Sequence, residues 1–518
     1  MRLKSQLRFH AWPLAGALLA GALILAVFVA IRPAPAPPGV ALQDIPFYQL
    51  PFGPDETGAA RPFWPSRIES AGGRMSDPQR LPSAAECGVC HVREFQEWAG
   101  SLHAVADRDL IYDVTVGANE DTNRNGHEMA RFCEGCHAPL EMLSGRTNRL
   151  VSVAPAEVLS EGVTCIACHT ATAADPVKGN GAFTLALERA ELERETPQGA
   201  LLLADPRAHI AAFRAPDTAA LMKSADFCGA CHTETLDRSM SQAETEQHAQ
   251  STYVEWRDSW YAKQNITCQD CHMAPDPAAQ VMALRAGQVA KPERYSHRFV
   301  GANHFLVDQS LGQSLMLLRG GLLPGVDGDA NHATLAEQSR LTEALLRTAA
   351  GLELRRAAPS EEGLQVEIAV QNLGAGHNLP TGVSDQKYMW LEVTVTDAKG
   401  AIVFRSGDAS EPRGVEDPDA VAWLEHFLDR EGNRITNHLT FSTAEVVWIR
   451  RSIPPRGEDV ARYEVTLPAA AEGPFRLKAR LLYRVALPDL IYQNLRRDIV
   501  PAPFTLAELT ATLPETGR

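Results

Sequence analysis

Residues 85–106 read AECGVCHVREFQEWAGSLHAVA. They hold two cysteines separated by two residues, Cys87 and Cys90, a histidine directly after them, His91, and a further histidine, His103. The pattern returns four times, as CEGCH (Cys133, Cys136, His137), CIACH (Cys165, Cys168, His169), CGACH (Cys228, Cys231, His232) and CQDCH (Cys268, Cys271, His272). The 518 residues contain 10 cysteines, so these five pairs use all of them. With 16 histidines in the chain, five out of five by chance has a probability on the order of 10⁻⁸.

The spacing has a chemical reading. Two thiols add across the two vinyl groups of a haem, two intervening residues let both sulfurs reach one porphyrin edge, and the next imidazole swings under the ring to bind the iron. A structural zinc site accounts for a C-x-x-C pair but does not require the histidine. Disulfides fit an exported chain yet also leave the five histidines unexplained. The expectation is therefore five covalently bound haems c, with iron as the metal and His91, His137, His169, His232 and His272 as proximal ligands.

The context of these sites resembles a known group. CGVCHVREFQEWAGSLHA, FCEGCHAP, EGVTCIACH and TYVEWRDSWYAKQNITCQDCHMAP are similar to segments of the multihaem cytochrome c family typified by the tetrahaem cytochrome c of ammonia oxidisers, which is related to hydroxylamine oxidoreductase. The resemblance covers roughly residues 80 to 310. It implies electron transfer, with oxidation of hydroxylamine or reduction of nitrite in some relatives. This chain departs from the tetrahaem type in its five sites and in an added C-terminal region.

A second histidine on an iron gives a low-spin haem suited to electron transfer, whereas an open position admits a substrate. The segment after His91 has a helical pattern, and on a continuous helix His103 lies about 18 Å from His91. Two axial nitrogens on one iron lie only about 4 Å apart, so His103 is expected to serve another haem unless the helix breaks near Gly100. The same reasoning sends His127, about 15 Å from His137 on a helix, to a different site. The DTNRNG turn before it resembles half a calcium loop, but Phe132 stands where the motif needs Glu. In YSHRFVGANHF, His297 and His304 would share a helical face about 10 Å apart and serve two haems. His209 and His248 sit in polar, weakly patterned surroundings and are read as non-ligands, as are His332, His426 and His438.

Residues 311 to 351 read as a helical connector with a turn at VDGDAN, residues 326–331. From 352 to 518 the period becomes two. Leu364, Val366, Ile368 and Val370 alternate with polar residues, as do Leu391, Val393 and Val395, then Tyr463, Val465 and Leu467, then Phe475, Leu477, Ala479 and Leu481. This is the pattern of an antiparallel β-sandwich. Between two of its strands lies NLGAGHNLPTG, whose His377 is a candidate distal ligand supplied by the sandwich. Similar GHxxPTG loops accompany some multihaem cytochromes.

At the other end, Arg2, Lys4 and Arg8 precede an uncharged apolar run from Trp12 to Ile31. Twenty residues of helix span about 30 Å, a bilayer core, with the basic end inside. Residues 1–32 are read as a membrane anchor, with a cleaved signal peptide as the alternative, and 33–80 as a Pro-rich linker and extended segment. The body, a pentahaem region at 81–310 and the sandwich beyond, is then expected in the periplasm, where haem attachment occurs. The formal charge of −15 excludes a general nucleic-acid binder.

The expected architecture is thus multidomain: an N-terminal transmembrane helix, a mostly α and irregular region packed around haems, and an antiparallel β-sandwich. Aromatics are only 7% of the chain, and stacked porphyrins would supply the missing core. The expected function is electron transfer between redox partner proteins. The alternative is an oxidoreductase acting on hydroxylamine, nitrite or a similar small molecule at one five-coordinate haem. A sensor or adhesion module using the sandwich is a third class.

Overall fold

The computed structural model describes residues 61–109, 111–112, 115–116, 130–145, 161–192, 204–236, 247–307, 328–383, 385–409, 417, 420–429, 431–435, 447–488 and 500–514. The apolar run at 12–31, the proline spacer, the DTNRNG turn and His127 lie outside them. Among the described residues no helix is long and apolar enough to cross a membrane.

From 61 to 307 the chain is built of short pieces. Its helices include Ala84–Gly88, Val92–Ala99, Arg131–His137, Cys165–His169, Pro206–Phe213, Ala225–Cys231, Thr252–Arg257, Cys268–His272 and Pro277–Arg285, none longer than 9 residues. Helices this short are not stable alone, so tertiary contacts must hold them. Local caps help at the motifs. Ser83 and Glu86 close a capping box on the first motif helix, and Thr267 and Asp270 do so on the fifth. The largest apolar cluster of this region joins Phe63, Ile68, Met75 and Leu81 to Leu140, Leu143, Ile166, Leu185 and Leu187. Residues 61–80, expected as linker, are therefore folded into this core rather than outside it.

Two local expectations change. The helix after His91 stops at Ala99, Gly100 caps it, and Ser101 is extended (φ −90°, ψ 159°) before a single 3-10 turn at Leu102–Val105. The helix thus breaks at Gly100, and the 18 Å separation expected for a continuous helix does not apply to His103. The chain between His297 and His304 is not helical, because Phe299 adopts the left-handed conformation (φ 46°). The two histidines consequently do not share a face.

A helix at Gly328–Ala349 leads directly into the second region. It begins within the segment expected to be a turn at 326–331. The strands that follow are β1 (Ala350–Pro359), β2 (Gly363–Asn372), β3 (Tyr388–Thr396), β4 (Ile402–Ser406), β5 (Ala422–Trp423), β6 (Glu425–Leu428), β7 (Arg434–Ile435), β8 (Val447–Arg450), β9 (Glu458–Thr466), β10 (Phe475–Arg484) and β11 (Phe504–Leu513). One sheet has the order β9-β2-β1. A second has the order β5-β3-β10-β11, with β4 also paired to β3, and a small third sheet has the order β7-β6-β8. Every strand pairing in them is antiparallel.

The alternating residues of the sequence face one shared core. Val366 lies opposite Tyr463, and Val395, Val393 and Leu391 lie opposite Leu477, Ala479 and Leu481. All of them belong to a single buried cluster, in which Leu391 and Leu477 are 0% exposed. Phe305 and Leu306, at the end of the first region, and Leu346 of the long helix also enter it, so the two regions share packing.

Candidate functional site

A C-x-x-C-H stretch on one helical turn places its two sulfurs and its imidazole at i, i+3 and i+4, on one face. The chain does this most fully at Arg131–His137, Cys165–His169 and Cys268–His272, where both cysteines and the histidine are helical. No two of the ten cysteines form a disulfide, and Cys90 is the one exposed to solvent.

Cysteines of different motifs lie thiol to thiol: Cys87 with Cys165, Cys136 with Cys231, and Cys228 with Cys268. Cys168 also lies near Cys228 and Cys231. The five motifs therefore form one connected array. Site one adjoins site three, site three adjoins site four, and site four adjoins both site five and site two. Burial pushes the Cys168 and Cys271 thiols up to about 12. Glu161 ties the first motif to the third: its carboxylate accepts from the Ala84 amide (2.9 Å) and from the Thr164 hydroxyl (2.8 Å).

Three motif histidines face a second imidazole. His91 faces His209 with ring centres 6.0 Å apart and planes 17° from parallel, His169 faces His297 at 6.4 Å and 19°, and His272 faces His377 at 6.2 Å and 10°. With metal–nitrogen distances near 2 Å and each ring centre about 1 Å behind its nitrogen, two axial imidazoles on one metal are spaced by about 6 Å. The pairs fit that spacing and are too far apart for direct stacking. The donor set thus fits a haem iron at each of these three sites.

Backbone contacts turn the rings the right way for this. His272 Nδ1 donates to the Val300 carbonyl (2.6 Å), His137 Nδ1 to the Ala106 carbonyl (2.8 Å), and His377 Nδ1 to the Asn378 carbonyl (3.0 Å). Fixing the proton on Nδ1 leaves Nε2 as the free donor to a metal. Burial holds His103, His169 and His377 down to about 4, and His232 to about 3, so each is a neutral imidazole at pH 7.

His103 does not face His91. After burial, the largest influence on His232 is His103, and His103 in turn senses His137. This histidine therefore stands where sites two and four meet. Its ring packs edge-on against Phe299 at 4.5 Å, and its carbonyl accepts from the Val163 amide at 2.8 Å. Gly162 (φ 57°) permits that approach, since a Cβ there would lie 2.3 Å from the His103 oxygen. At the second site, among the described residues, the Tyr112 ring stacks on His137 at 4.3 Å and 15°.

Two candidates change standing. His304, expected as a distal ligand, packs instead between Tyr483 and Phe504 of β10 and β11, with Nε2 donating to the Ala502 carbonyl at 3.2 Å. The left-handed turn at Phe299 carries it out of the first region and into the sandwich seam. His209, read from sequence as a non-ligand, is brought against His91. The usable signal was a short helix, Pro206–Phe213, opened by Asp205 as its cap, which gives His209 a rigid support. His248 is exposed in the strand Gln247–Gln250.

His377 reaches His272 from the sandwich. Its loop is drawn close to the long helix, because Gly374 has its Cβ position 2.3 Å from the Thr348 carbonyl, which excludes a side chain. Nearby Lys387 donates to the Thr381 carbonyl (2.8 Å), and burial lowers it to about 8.

Comparison with known proteins points the same way. Residues 86–170 match the family model of cytochrome c554 and c-prime. No curated protein matches the chain. The fold is similar to the crystal structure of a penta-heme cytochrome c552 from Thermochromatium tepidum, with TM-score 0.54 and 19% identity over 84% of this chain and 99% of that one. The family match takes in the first three C-x-x-C-H stretches, and the likeness to the penta-heme protein is one of fold, a helical region followed by an antiparallel β region.

Proposed function

We propose that this protein is an electron carrier with five covalently attached haems, passing electrons between redox partner proteins. The observation that carries the reading is the set of three imidazole pairs at 6.0–6.4 Å. An iron between two such rings is coordinatively full, binds no substrate and changes only its charge. The connected motifs supply the relay, and axial ligand, burial and hydrogen bonding tune each centre. The N-terminal segment would hold the body at the periplasmic face of the inner membrane. That placement rests on the basic residues before the apolar run and on the compartment in which haem is attached.

The second reading is an oxidoreductase of small nitrogen compounds, in line with the hydroxylamine oxidoreductase relation implied by the sequence. It draws on the second site, where the Tyr112 ring, which carries a phenol rather than a metal-binding nitrogen, packs on His137 among the described residues. Electron paramagnetic resonance on the full chain, with carbon monoxide titration, separates the two. Five low-spin haems that bind no carbon monoxide support the carrier. A high-spin haem that turns over hydroxylamine or nitrite overturns it in favour of the enzyme.

A further inference from the structure

His377 must cross from one region to the other to reach His272, and one carboxylate on the far side sets where it arrives. Glu255 lies on the helix Thr252–Arg257 of the first region, with its side chain 6% exposed. Its Oε2 accepts from the Asn378 amide at 3.1 Å and from the Thr381 hydroxyl at 2.6 Å. Its Oε1 is ion-paired with the Arg450 guanidinium on β8. One turn earlier on the same helix face, the Thr252 hydroxyl accepts from the Gly382 amide at 3.1 Å and meets the Thr381 hydroxyl at 2.9 Å.

The peptide unit joining His377 to Asn378 is therefore gripped at both ends. Its oxygen accepts from Asn372 Nδ2 at 2.8 Å, inside the sandwich, and its N–H donates to Glu255, from the other region. Rotation of that unit would change the backbone dihedral beside His377 and swing the imidazole off the axis of His272. Hydrogen bonds to a buried charged acceptor are the strong kind, and a buried carboxylate must keep its partners.

We propose that Glu255 is the positioning residue of the fifth site: it latches the sandwich loop so that His377 faces His272, and the distal ligand of that haem is only as firmly held as this latch. The proposal rests on the reading of His272 and His377 as axial ligands.

The test uses the full haem-loaded chain and three variants, His377→Ala, Glu255→Ala and Glu255→Gln. It counts haems per chain, records spin states and measures carbon monoxide uptake. His377→Ala should turn one low-spin haem high-spin and bind one equivalent of carbon monoxide. Glu255→Ala should produce the same new signal in part of the population, with all haems retained. Glu255→Gln keeps an acceptor oxygen and should stay low-spin while slowly taking up carbon monoxide, of which the native chain takes up none. If His377→Ala leaves every spin state unchanged, the ligand reading itself fails. If His377→Ala shows its signal and Glu255→Ala behaves as the native chain, the ligand reading stands and the latch fails. Should Glu255→Ala lose haem through misfolding, Glu255→Gln decides, and a variant that like the native chain takes up no carbon monoxide overturns the latch.

Discussion

Between Ala350 and Leu513 one buried apolar cluster runs through both main sheets, whereas between Phe63 and Leu284 the buried apolar residues fall into separate patches. The strands of the second region bury each other's alternate residues, so that region carries its own driving force for folding. The first has helices of one or two turns, grouped around sulfurs and imidazoles. Its interior is organised by groups that would hold porphyrins, each a larger apolar body than any side chain.

That contrast can be broken most directly by withholding the cofactor. Produced without haem attachment, the first region should lose amide exchange protection almost throughout, while β2, β3 and β10 keep theirs. Equal loss in both would show that the sandwich has no independent core. Next in size is a core truncation in the second region. Leu391→Ala, at a position 0% exposed, should cost about 2–5 kcal/mol. Chemical denaturation should show it as an earlier transition of the β region, with haem absorbance of sites one to four unmoved. An early transition in those haems would mean that the regions unfold as one.

Glu161→Ala removes the tie between the first and third motifs and leaves the Ala84 amide unsatisfied, at a cost of about 1–3 kcal/mol. Denaturation followed by haem absorbance should report it, and no shift in midpoint would remove Glu161 from the packing of that pair. The smallest effect on stability and the sharpest in spectroscopy is expected for His209→Ala. One haem should become high-spin with little change in melting, and an unchanged spin count would dissolve the His91–His209 pair.

The second region was the more legible in sequence. A period of two over Leu364–Val370 or Phe475–Leu481 states which side chains face inward, because strand side chains alternate whatever their neighbours are. The helix after His91 was less legible, since its end depends on Gly100 and on the extended Ser101. Histidines were the hardest to read. His304 and His297 have similar surroundings in sequence, yet one enters the sandwich seam and the other faces His169, and the turn at Phe299 makes the difference. His209 lies in a polar segment that carries no periodic signal, although a short capped helix supports it.

The sequence by itself determined the attachment chemistry, because Cys, Cys and His lie within one helical turn and need no distant partner to converge. Only the tertiary structure decided what faces those histidines. The partners of His91, His169 and His272 come from more than a hundred residues away, and in the last case from another region. Pairings over such distances are set by packing and by buried hydrogen bonds such as those of Glu255, which no local spacing encodes.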